Sequence, residues 1–67
     1  MIDARGRACP EPVLLTKKAI AENPEGIIII VDNVTARENI RRFASNSGYK
    51  MEVVEQDDDY KLTLRKK

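Results

Sequence analysis

Five consecutive β-branched residues, Ile27 to Val31, lie near the middle of a chain of 67 residues. An apolar run of this length with no polar alternation reads as a central strand, flanked on both sides and apolar on both faces. A chain this short buries only about 60% of the surface its unfolded form exposes, so it builds one modest core. Hydrophobic residues at 42% and charged residues at 34% suit a globular domain. Residues 1–67 are expected to form a single domain.

Helix signals bracket the apolar run. Pro10 fits the first helical position and Pro12 still lies in the first turn, where amide protons have no intrahelical partner. Good helix formers continue through Glu22, and "NPEG" at 23–26 stops them. At roughly 100° per residue, Leu15, Thr16, Ala19 and Ile20 share one face, with Leu14 outside it. After the strand, Thr35 with Glu38 three residues later matches a capping box. Ala36, Ile40, Phe43, Ala44 and Ser47 lie on one face of that second helix, and Gly48 is the residue expected just beyond its end. "MID" at the start, "MEVVEQ" at 51–56 and "YKLTLR" at 60–65 read as strands, the last two joined as a hairpin across "DDD". Gly6 supplies a backbone angle that other residues resist.

The predicted order is therefore βαβαββ. It implies an α/β (α+β) two-layer sandwich, a mixed four-stranded sheet with both helices packed on one face. The isoleucines that point away from the helices then need cover, from long side chains of neighbouring strands or from another domain or subunit.

Composition narrows the chemistry. The net charge is +1, which calls for neither nucleic acid nor an anionic membrane. The charged N-terminus "MIDARGR" has no signal-peptide pattern, and no apolar run approaches the roughly 20 residues of a membrane-spanning helix. A lone cysteine forms no internal disulfide, so a cytoplasmic domain with a reduced thiol is expected. With no histidine, a Cys-His dyad, a Ser-His-Asp triad and a His/Cys zinc site within one chain are all excluded. No cofactor and no metal are implied. "DDD" at 57–59 lacks the spaced oxygen ligands of a calcium loop and reads as a solvated turn. Arg37, Arg41 and Arg42, with Lys17 and Lys18, read as a solvated helical face, since the chain has too few aromatics for a base-stacking surface.

The one cysteine, Cys9, stands directly before Pro10, at or next to the helix N-cap. A thiolate there faces unpaired amides and the positive end of the helix dipole, both of which favour the nucleophilic form. The prolines remove some of those amides while making the first turn rigid. Arg5 and Arg7 add positive potential, and Glu11 opposes it. Physics alone leaves this reading level with that of a small buried hydrophobe.

"DARGRACPEPVLLTKKAI" resembles the N-terminal signature of the TusA/SirA/YedF family of small sulfur-carrier proteins. Its hallmark is a Cys-Pro-x-Pro motif opening the first helix, here Cys9-Pro10-Glu11-Pro12. Asp3 and Arg5-Gly6 match the Asp and Gly that precede the cysteine. "VDNVTARENIRRFASNSGY" resembles the YedF-like branch, associated with selenium metabolism. The resemblance implies a βαβαββ sandwich and a persulfide carried on Cys9, with Pro10, Glu11, Pro12 and Gly6 shaping the motif. Arg5, Arg7, Lys17 and Lys18 are the expected thiolate-tuning or partner-docking residues. It also implies a sulfur-donor protein, such as a cysteine desulfurase, and an acceptor protein.

Two features depart from that pattern. TusA-like chains often read Asp-Asp-Pro where this one has Asp32-Asn33-Val34, so partners in tRNA thiolation do not carry over. YedF-like chains often have a further C-terminal domain. Two rival readings of Cys9 remain from the residues themselves: a protein- or RNA-binding module in which CPxP only caps a helix, and a redox switch through a Cys9–Cys9 disulfide between chains.

Overall fold

The computed structural model describes residues 1–7 and 10–67. Its elements are β1 (Ile2–Asp3), α1 (Glu11–Glu22), β2 (Gly26–Val31), α2 (Val34–Asn46), β3 (Tyr49–Gln56) and β4 (Asp59–Lys66), the expected βαβαββ order. They form one four-stranded sheet in the order β1-β2-β4-β3. β1 runs parallel to β2, and β4 is antiparallel to both β2 and β3. The unbroken apolar run therefore lies between two partners, as a strand apolar on both faces should.

Side chains alternate along β2. Ile27, Ile29 and Val31 are buried against the helices, where they join Ile40, Ala44, Leu62 and Leu64 in the core. Ile28 and Ile30 point to the opposite face and are half-buried. Ile28 has Thr63 across from it, while Ile30 lies between Asp3 and Lys61. Thr63 and Lys61 are themselves half-buried. Neighbouring strands thus supply residues beside the two isoleucines on the face without helices, and a lysine at such a position can cover apolar surface with its aliphatic stem.

α1 has Pro10 at its N-cap and Pro12 within the first two helical positions, and it buries Pro12, Thr16 and Ala19. The Thr16 hydroxyl, fully buried, donates to the Pro12 carbonyl at 2.8 Å, so no polar atom is stranded there. Leu14 is exposed, as its place off the stripe predicts.

α2 begins two residues earlier than the capping-box reading suggests. Its N-cap is Asn33, in an extended conformation, and the Asn33 side chain accepts the Ala36 amide at 2.7 Å. Asn is at least as good a cap as Thr, and the earlier start adds two residues to the helix. Glu38 is consequently released from capping and accepts from Arg37 and Arg41 at 3.0 and 3.2 Å. Gly48 follows the helix at φ +76°, the left-handed conformation expected of a residue beyond a helix end.

The hairpin is longer than predicted. β3 starts at Tyr49, whose buried ring sends its hydroxyl to the Pro24 carbonyl and ties the strand to the α1–β2 connection. Only Asp57 and Asp58 form the turn, because Asp59 already pairs with Gln56 as the first residue of β4.

Candidate functional site

Topology gathers the start of α1 and several distant residues at one end of the sheet. β1 and β2 are parallel, so the loop after Asp3 and the segment after Val31 emerge side by side. β4 runs the other way and sets Tyr60 opposite Val31, which brings the β3–β4 turn to the same end. The first turns of α1 and α2 also begin there, since each follows one of those strands.

The loop leading to the motif is built from Asp3, Arg5 and Gly6. Asp3 Oδ1 accepts the Arg5 backbone N–H at 3.0 Å, closing a local turn. The Arg5 guanidinium then grips both oxygens of Asp3, at 3.0 and 2.9 Å, and extends Nη1 to Asp59 Oδ2 at 3.1 Å. Arg5 thus joins the start of the chain to β4 across 54 positions. Gly6 adopts φ +75° and donates its backbone N–H to Asp32 Oδ2 at 2.8 Å. The other Asp32 oxygen accepts from the Asn33 side-chain amide at 3.0 Å, and Asn33 in turn caps α2. A continuous chain of bonds therefore runs from the motif loop through the end of β2 to the start of α2.

These contacts set the local electrostatics. Arg5, by its hydrogen bonds and charge, holds the Asp3 carboxyl down at about 2 from an ordinary 3.8. The Asp32 carboxyl is lowered first by the Gly6 amide and then by the Asn33 side chain. Arg41 and Arg37 lower Glu38. The reciprocal effect raises Arg5, which stays cationic at any working pH.

A pH dependence follows. A folded carboxyl with a depressed pKa holds its proton more weakly than the unfolded one. Its contribution is therefore complete above pH 3.8 and drains away as pH falls toward about 2. The Arg5 Nε–H resonance, whose acceptor is Asp3, is expected to stay fixed between pH 5 and 8 and to move only in that acid window. NMR titration checks this directly.

The residues singled out from the sequence are placed as follows. Cys9 lies outside the described residues. Pro10 is exposed at the N-cap of α1, and a proline side chain offers its first turn no hydrogen-bond acceptor. Glu11 opens the helix and pairs with Arg7 at 2.6 Å, so the two charges face each other. Pro12 is buried. Lys17 and Lys18 are exposed farther along α1, with the Lys17 ammonium 5.8 Å from the Phe43 ring on α2. The basic helical face is partly engaged as well: the Arg37 guanidinium stacks 5.0 Å from the Tyr60 ring. Gly6, Arg5 and Arg7 lie in the loop before the motif, whereas among the described residues the two lysines do not share their contacts.

Sequence reasoning missed the partnership of Asp32 and Asp59 with this loop. Asp32 at the strand's end reads locally as a capping or turn residue, and Asp59 as part of an acidic tip. Their convergence follows only from strand order. An open cleft of about 580 Å³, lined in part by Asn23, Glu25, Gly26 and Arg65, lies at the far end of the sheet.

Comparison with known proteins decides the family. The family model for sulfurtransferase TusA matches residues 1–66. The chain belongs to the TusA family. It is 40% identical over 68 aligned positions to a Methanocaldococcus jannaschii protein named "Putative sulfur carrier protein", covering 97% of this chain and 91% of that one. It is also similar to the crystal structure of a SirA-like protein from Desulfitobacterium hafniense. That match has a TM-score of 0.86 and 38% identity, over 96% of this chain and 92% of the other. The four-stranded sheet with two helices is therefore the family's sandwich, reached above from periodicity and caps.

Proposed function

We propose that the chain is a sulfur carrier that holds a sulfane sulfur as a persulfide on Cys9 and relays it between proteins of the cytoplasm. The observation that carries this reading is the family match over residues 1–66, with Cys9-Pro10-Glu11-Pro12 leading directly into α1. The matched family and the archaeal relative are both named for sulfur, and sulfur is the cargo proposed.

Loading is a thiolate–persulfide exchange. Cys9 gives up its proton to solvent, and the thiolate attacks the outer sulfur of a donor protein's persulfide. The donor's S–S bond breaks, its cysteine leaves as a thiolate, and a new S–S bond forms on Cys9. Delivery repeats the step with an acceptor thiolate attacking the outer sulfur on Cys9, which regenerates the Cys9 thiolate. No net oxidant or reductant is consumed. The positive end of α1 favours a thiolate in the residue ahead of its N-cap.

Incubation with a cysteine desulfurase and free cysteine tests the reading. Intact-mass spectrometry is expected to show the gain of one sulfur atom per chain, removed by reductant. A folded chain whose thiol still alkylates but gains no sulfur would instead favour a module in which CPxP only caps the helix.

A further inference from the structure

We propose that Asp32 and Arg5 are positioning residues for sulfur transfer, a two-point clamp that fixes the loop delivering Cys9. The inference rests on the carrier reading above and adds the residues that make delivery directional. Its basis is the set of bonds around Arg5 and Gly6. Asp32, immediately after the central strand, accepts the Gly6 amide at 2.8 Å. Arg5 locks the preceding residues between Asp3 and Asp59 on two different strands. Asp3 and Asp59 belong to β1 and β4 and Asp32 directly follows β2, and Gly6 stands three positions before Cys9.

Exchange between two proteins needs sulfur aligned with an attacking thiolate held on another surface. Misplacement by about 1 Å can slow such an oriented reaction by roughly a hundredfold. A small thiol or alkylating reagent approaches from solvent and makes no such demand. The clamp therefore governs transfer between proteins far more than intrinsic thiol reactivity. The exposed ion pairs have little leverage on stability, so their value lies in geometry.

The test compares wild type with Asp32→Ala, Asp32→Asn and Arg5→Lys. Loading from a cysteine desulfurase is followed by intact mass, and alkylation of Cys9 by iodoacetamide is measured across pH. Asp32→Ala is expected to slow loading roughly tenfold or more, with the alkylation rate and its pH midpoint unchanged. Asp32→Asn keeps an oxygen acceptor for Gly6 and should restore most of the rate. Arg5→Lys keeps the charge but loses the planar fork that spans Asp3 and Asp59, and should also load slowly. Wild-type loading rates in both Asp32→Ala and Arg5→Lys would overturn the clamp while leaving the carrier reading intact. Equal slowing of loading and alkylation would overturn it too, by revealing a general structural effect. Wild type that never loads would remove the carrier reading and the clamp with it.

Discussion

Gly26→Ala is expected to destabilise the domain by about 3 kcal/mol, from strain at a glycine-only backbone conformation together with a direct clash. Gly26 opens β2 at φ +156°, and a Cβ added there would stand 2.5 Å from the Leu64 carbonyl oxygen. That oxygen is backbone in the neighbouring strand, so relief requires the β2–β4 pairing to shift. Native stability for a chain of this size is on the order of 3–10 kcal/mol, so the change removes a large share of it. The expected fall in melting temperature is roughly 12–24 °C, read by circular dichroism. Gly48→Ala is the matched control. Gly48 has φ +76° but open space around the missing Cβ, so only the left-handed penalty of about 1–2 kcal/mol applies. Equal losses in the two variants would contradict the steric account.

Ile29→Ala is expected to cost about 2–5 kcal/mol, the range for truncating a large buried aliphatic side chain. Ile29 is fully buried at the middle of the central strand, opposite Leu62, which is also fully buried. The cavity therefore opens inside the core cluster. Ile28→Ala, one residue away on the half-buried face, should cost clearly less, because part of its surface is wet already. Urea denaturation measures both, with an unchanged slope marking a loss of stability rather than of cooperativity. The reverse ranking would mean that the face without helices carries the core.

The contrast between these neighbouring isoleucines shows what sequence pattern conveys and what it leaves open. An unbroken β-branched run in a short chain marks a central strand, and helix signals on either side give the order of elements. The run itself does not say which of its two faces meets the helices. Flanking elements settle that once Ile40 and Ala44 dock on Ile29 and its layer. The start of α2 was less legible because Asn33 and Thr35 are both good caps two residues apart, and only the backbone conformation chooses between them.

The site divides the same way. Cys9-Pro10-Glu11-Pro12 stands out in the chain as a motif, and Asp3 and Gly6 are near enough in sequence to be read with it. Asp59 is not, since 54 positions separate it from Arg5 and the pair exists only because β4 inserts between β2 and β3. Nor does local chemistry distinguish Asp32 as a loop anchor from Asp32 as a turn former. Long-range pairing decides both cases.

The most direct measurement is intact-mass spectrometry of wild type and Cys9→Ser, treated side by side with a cysteine desulfurase and free cysteine. The account predicts one reductant-labile sulfur on wild type and none on a folded Cys9→Ser chain. An equal gain on both, or none on a folded wild type with a reactive thiol, would contradict it.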